Sequence, residues 1–411
     1  MKMKKLISRF LIPAFLLFCA SFPSFSEIHK TSRYGEIGFD FSGGISNNTF
    51  TVTDLLKKNL VIDLKKLSDM TPSGGFNLEF SEYSDFFINL NIKRTFKLGF
   101  YAGLSGSGNI NVGKDFVDMM GRGMSVGETV KSDIDTYADL YVEAGVKFKT
   151  VIKTFHVTFN PELFLPLFYI PASSGSVTYE SSSGGKIKLN AKETMEIYSL
   201  TGFSSLSDPA KLAEALSTSL DHMGFDFAFA IENHIVKCLD LGIFARIPIV
   251  PGKLNHKSIT TFEASMWENN ILGILNGTED SGSSYTSSSE TDDSVEFKVF
   301  RPLKIGVEGA WRPFGSWFTV YPKIALVVRD PYSSSRIFYP EFGLNLEIGT
   351  KVIAFRAGVD YENKVFNDHI GFMLNLHVLE LDFATGVRGA EFINAFKGTG
   401  VYGSFGLRIG F

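Results

Sequence analysis

The sequence predicts an all-β protein: a closed antiparallel transmembrane β-barrel of about 14 strands (range 12–16), with short turns at one end and long loops carrying small helices at the other. Three observations predict it. Apolar and polar residues alternate with a period of two along most of the chain. The connections sort into two kinds, tight and long, that take turns along the chain. Beyond the leader no apolar run reaches the length of a transmembrane helix, although the chain starts like an exported protein.

The leader comes first. Lys2, Lys4, Lys5 and Arg9 precede the apolar stretch Phe10 to Ala20, and SFPSFS follows, so residues 1–26 read as a signal peptide cleaved near Ser26/Glu27. Residues 27–411 are then expected to form one barrel domain. Removing the leader takes away four basic residues and leaves 36 Lys and Arg against 44 Asp and Glu. That acidic balance excludes nucleic acid as a partner. Cys238 is the only cysteine left, so no internal disulfide forms.

Strands are expected near 34–44, 75–92, 96–111, 133–148, 151–168, 222–233, 236–250, 294–311, 316–329, 336–348, 352–362, 367–377, 380–389 and 398–411. YPEFGLNLEIG is typical: Phe342, Leu344, Leu346 and Ile348 oppose Glu341, Asn345 and Glu347. Long outer loops are expected at about 45–73, 113–132, 169–221 and 251–293, with 330–335, 363–367 and 390–397 on the same side. The segment 178–199 reads as a hairpin that either decorates a loop or joins the wall. Residues 54–70 and 208–223 carry helical leucine stripes, and the Ser-rich 277–294 reads as a polar loop tip. Prolines at 161, 166, 302, 322 and 340 mark bulges or kinks, since each removes a ladder donor.

With the apolar parity facing lipid, the other parity lines the interior. There the expected residues are Asp139, Glu143, Lys147, Asp226, Arg246, Lys304, Glu308, Glu341, Glu347, Arg356, Asp360, Arg388 and Arg408. Asp40, Glu79 and Asp382 share that parity. So many charges are too costly for a dry core unless paired, and a water-filled channel relieves the conflict. Phe96, Phe148, Trp317, Phe338 and Phe366 sit at strand ends, where aromatic girdles form.

No catalytic constellation emerges. GMSVG at 123–127 matches the nucleophile-elbow spacing but has no strand before it, and the seven histidines show no metal-ligand spacing. The expectation is no enzyme, no metal and no cofactor.

The closing stretch VYGSFGLRIGF places Phe405, Leu407, Ile409 and Phe411 on one parity. It resembles the C-terminal signature read by the barrel-assembly machinery, which implies that machinery and outer-membrane lipid as partners. The whole chain after the leader resembles bacterial outer-membrane β-barrels of the porin or transporter kind. In strand count it is similar to the long-chain fatty-acid transporter family and to fourteen-stranded porins. That family carries a long N-terminal hatch inside the barrel, whereas here the first strand follows the cleavage point after a few residues. The expected function is an outer-membrane channel for diffusion of small polar solutes or ions. The alternatives are a transporter of hydrophobic small molecules, which needs an apolar cavity, and a surface-exposed adhesion or structural barrel.

Overall fold

The computed structural model describes residues 33–410, apart from 52–63, 94, 124, 126, 182–186, 202–218, 269–280, 293 and 335. Its strands are β1 (Gly35–Asn47), β2 (Phe76–Lys93), β3 (Phe96–Val112), β4 (Thr129–Ile152), β5 (Phe155–Ser181), β6 (Ile187–Ser199) and β7 (Gly224–Val236). They continue with β8 (Leu239–Val250), β9 (Gly252–Leu254), β10 (His256–Glu268), β11 (Ser281–Asp292), β12 (Phe297–Val299) and β13 (Leu303–Trp311). The last are β14 (Phe318–Arg329), β15 (Ile337–Gly349), β16 (Ile353–Glu362), β17 (Val365–Asn375), β18 (Leu379–Gly389) and β19 (Gly400–Gly410).

Strands β1 to β5, β7, β8 and β13 to β19 pair in that order, and β19 pairs back to β1, so 14 antiparallel strands close into a barrel. The closing seam is unbroken from Glu36–Gly410 to Ser46–Gly400. Closure leaves the wall no free edge. The period-two pattern decides which face is which. Ile324, Phe355 and Ile409 are 67%, 61% and 54% exposed, while their strand neighbours Lys323, Ala354 and Arg408 are buried. An outward face this apolar is stable against acyl chains and costly against water. Among the described residues no helix is long and apolar enough to cross a membrane.

One end carries the tight turns, among them 153–154, 237–238 and 376–378; the other carries the long connections. Segment 363–367 departs from its expected loop. Asn363 and Lys364, with φ of 51° and 68°, make a two-residue hairpin between β16 and β17. Two consecutive left-handed residues suit the twist of flanking strands.

Two of the segments expected as long loops, 169–221 and 251–293, contain long strands. The upper part of β4 pairs with β5 up to Thr129–Glu180; β5 then pairs with β6, β6 with β10, and β10 with β11. The wall strands thus continue past the barrel into a five-stranded extension. The hairpin expected at 178–199 belongs to this extension and not to the wall. Ser281–Asp292, within the polar tip expected at 277–294, is a ladder strand against Lys257–Glu268. These strands are rich in Ser and Thr, so periodicity does not announce them; a templating neighbour supplies the ladder.

The segment expected as one strand over 294–311 is broken. β8 pairs with β13 from Leu239–Trp311 to Arg246–Lys304, and β9 then pairs with β12 from Gly252–Val299 to Leu254–Phe297. Pro248, Pro251 and Pro302 lie in the interval, and each lacks the N–H that a ladder needs. The outcome is a bent ribbon whose upper leg, β9 and β12, packs on β5.

Of the segment 54–70, α1 (Leu64–Met70) is helical and 54–63 lies outside the described residues. A second short helix, α2 (Lys114–Arg122), packs on α1. Gly121 is needed at that contact, since a Cβ there would meet the Leu64 carbonyl oxygen at 2.2 Å. The helix expected at 208–223 lies mostly outside the described residues; Leu220–His222 is a single 3₁₀ turn. The helix α3 (Phe392–Phe396) lies against β17 and β18.

In the extension, Lys257 Nζ donates to Glu196 Oε1 at 2.8 Å, and the Tyr198 hydroxyl donates to Glu196 Oε2 at 2.8 Å. The Lys257 bond, then the Tyr198 bond, lowers the Glu196 carboxyl below its ordinary value. A carboxylate lowered in the folded state stabilises at neutral pH and loses that contribution as pH falls through its folded value. Proteolysis of the β6–β10 ladder is therefore expected to quicken below the carboxylate range in the unaltered protein, and at neutral pH in Lys257→Met. Equal rates for the two proteins at neutral pH would refute the tie.

Candidate functional site

The inward parity of the wall is dense with charge, and the charges are cross-linked. On the closing seam Arg408, 1% exposed, donates to Asp40 of β1 at 2.8 and 2.9 Å and to Glu380 of β18 at 3.0 Å. Arg356 binds Glu347 at 2.8 Å and also Asp382. Lys323 holds Glu362 at 2.7 Å, Arg329 holds Asp139 at 2.8 Å, and Lys304 pairs with Glu341. Arg388 donates to the Ser81 hydroxyl. Asp360 accepts from Asn345 at 3.0 Å and lies 3.7 Å from His369.

Of the thirteen residues expected inside, five remain, and two of these, Glu143 and Asp226, meet at Arg301. Its guanidinium reaches Glu143 at 2.6 Å, Asp226 at 3.5 Å, and Glu162. Lys147 and Glu308 border a cavity inside the barrel, and Arg246 lies in the β8–β13 register opposite Lys304.

That cavity has a volume of about 370 Å³. The rings of Phe87, Tyr101, Phe244 and Tyr321 line it, together with Lys147, Lys304, Lys323 and Arg408. Three of the cations rest on those rings: Lys147 lies 4.7 Å from the centre of Tyr101, Arg408 5.7 Å from Phe87 and Lys323 6.0 Å from Phe244. The chamber is therefore lined by rings and by charges of both signs, Asp40, Asp85, Glu232, Asp240 and Glu308 among them, and cation–π contact fixes three of its cations. A second cavity of about 100 Å³ lies among Glu347, Arg356, Asp360, His369, Asp382 and Tyr402.

Toward the long-loop end the interior changes character. Tyr141, Phe164, Leu165, Leu167, Leu254 and Val299 belong to one buried apolar cluster, which β9 and β12 complete from above. Buried ion pairs below and a packed apolar cap above oppose free passage of water, since each pair stands in place of the solvent its charges would otherwise need.

Sequence reasoning missed Arg301, Glu162 and Lys323. Arg301 has the lipid-facing parity of the strand expected over 294–311; the break at Pro302 re-aims it inward. The signal was the proline, which marks a change of phase as well as a lost donor. Glu162 was hidden in the apolar stretch PELFLPLFYIP. Phe405 and Ile409 point outward, Leu407 shares their parity, and Phe411 lies outside the described residues. Met124 and Val126 of the GMSVG segment also lie outside them, and among the described residues no His, Cys, Asp and Glu group has a metal-holding arrangement.

No protein-family model matches the chain, and no curated protein matches it. Solved structures do. The toluene transporter TodX of P. putida is 8% identical over 93% of this chain and 91% of its own, with a TM-score of 0.47. The monoaromatic hydrocarbon channel CymD is 10% identical over 93% and 90%, with a TM-score of 0.41. A Pseudomonas aeruginosa FadL homologue is 10% identical over 91% and 89%, with a TM-score of 0.38. At these identities and scores the likenesses say nothing of what this chain carries.

Proposed function

We propose that this barrel resides in a bacterial outer membrane and transports hydrophobic small molecules through a lumen that is closed at rest. The observation that carries the reading is the ring-walled chamber of about 370 Å³ beneath a packed apolar cap. A diffusion pore for polar solutes needs neither aromatic walls nor a dry mouth, whereas apolar ligands gain from leaving water for such walls. The thirteen inward residues expected from the sequence then serve two roles: most tie the wall strands together, and Lys147, Lys304, Glu308 and Arg408 border the ligand chamber.

Export by the leader, cleavage near Ser26/Glu27 and recognition of Phe405, Leu407, Ile409 and Phe411 by the barrel-assembly machinery complete the proposal. The polar-solute channel expected from the sequence is the second reading, favoured by the charge of the inner wall. Liposomes containing the purified barrel separate the two. Uptake of the apolar dye N-phenylnaphthylamine is expected to exceed that of protein-free liposomes severalfold, with no swelling in arabinose. Rapid arabinose swelling together with baseline dye uptake would overturn the transporter reading in favour of an open pore.

A further inference from the structure

Arg301 does not sit on the wall. It hangs from the bend of the ribbon, between β12 and β13, and its side chain enters a nest built by three neighbouring wall strands: Glu143 on β4, Glu162 on β5 and Asp226 on β7. Glu162 and Asp226 are directly opposite in the β5–β7 ladder, two residues below its last pair, Phe164–Gly224. All three carboxylates are buried. Glu143 accepts from the Ser105 hydroxyl at 3.0 Å, and Glu162 from the Tyr101 hydroxyl at 2.6 Å. Asp226 is wholly buried, and neither of its oxygens accepts a hydrogen bond. The rings of Tyr141 and Phe164 each lie 5.7 Å from the Arg301 guanidinium carbon.

We infer that this nest is a binding site for an organic cation with a flat apolar body, and that Arg301 is its tethered occupant. Three carboxylates converge on the Arg301 guanidinium, with the Arg246 charge also felt at Asp226, and two aromatic faces flank Arg301. That combination recognises amidinium, guanidinium or ammonium groups generally, through charge-assisted hydrogen bonds and cation–π contact. The unbonded oxygens of Asp226 leave acceptor capacity that Arg301 does not use. The apolar cluster around Tyr141 and Phe164 provides a place for the body of such a ligand. A free cation must displace Arg301 to enter, and displacing it detaches the ribbon from the β4–β5–β7 wall. The site deepens the transporter reading by naming a substrate class, and rests on it only for what happens after binding.

The test uses the full-length barrel in detergent with benzamidinium as the probe, benzamide and benzoate as controls, and titration calorimetry as the readout. Arg301→Gln is expected to bind benzamidinium at least tenfold more tightly than the unaltered protein, with benzamide and benzoate unchanged. Adding Asp226→Asn is expected to reverse the gain at least tenfold. Equal benzamidinium affinity with and without Arg301, or an equal gain for benzamide, would overturn the inference. Should Arg301→Gln fold poorly, the folded fraction on unheated gels replaces affinity: benzamidinium, and not benzamide, is expected to raise it at least twofold, and no difference between them refutes the site. Binding in detergent is independent of passage. Loss of dye uptake with benzamidinium binding intact sinks the transporter reading and leaves the site standing.

Discussion

Arg408→Leu is expected to destabilise the barrel by about 3–5 kcal/mol, the usual cost of removing one member of a buried ion cluster. Arg408 is the centre of a three-strand tie across the closing seam, with Asp40 on β1 and Glu380 on β18. Glu380 has other partners, since Asn375 donates to it at 3.1 Å and Arg33 lies 3.6 Å away. Losing the guanidinium removes the cation that Asp40 and Glu380 share. Adding Asp40→Asn to Arg408→Leu is expected to recover part of the loss, because it removes one of the two negative charges that the lost cation balanced. Urea titration in detergent, read by the mobility shift of the folded barrel on unheated gels, measures both. A loss below about 1 kcal/mol would mean that water bathes this part of the interior and screens the pair as at a surface.

Phe405→Arg carries the second large effect. Phe405 lies on β19, opposite Phe41 of β1 and Phe383 of β18, and all three face outward. A guanidinium placed near the bilayer midplane on that face costs about 2–4 kcal/mol. Ser404→Arg, one residue away on the inner face beside the second cavity, is expected to cost clearly less, because Asp40 and Asp382 border the same space. Equal losses from the two variants in lipid would show that the two faces of β19 do not differ in surroundings, and would refute the assignment of outside and inside.

The wall was legible in the sequence because a barrel strand must satisfy two solvents at once. Phe342, Leu344 and Ile348 against Glu341 and Glu347 state both faces in one short stretch, and Leu381 and Phe383 against Glu380 and Asp382 do so again on β18. What stayed hidden lacks that double constraint. β10 and β11 stand above the lipid, so nothing requires an apolar face, and their Ser and Thr read as loop. The ion pairs were hidden for another reason. Parity tells that Lys304 and Glu341 point inward, but which strands meet across the interior depends on closure and stagger, which no local pattern encodes. Arg301 failed on phase alone: a proline moved one residue from the predicted outer side to the deepest carboxylate nest.

The seam between β1 and β19 places Gly35 and Gly410 at the same end of the barrel, with Glu36 directly across from Gly410. A short peptide linker can therefore splice the two ends, and a new start and finish can be cut at Asn363–Lys364, on the opposite rim. Such a circular permutant keeps every pairing in the wall while moving the FGLRIGF stretch into mid-chain. Insertion in living cells would then show whether locking the cylinder shut depends on where along the chain this strand lies.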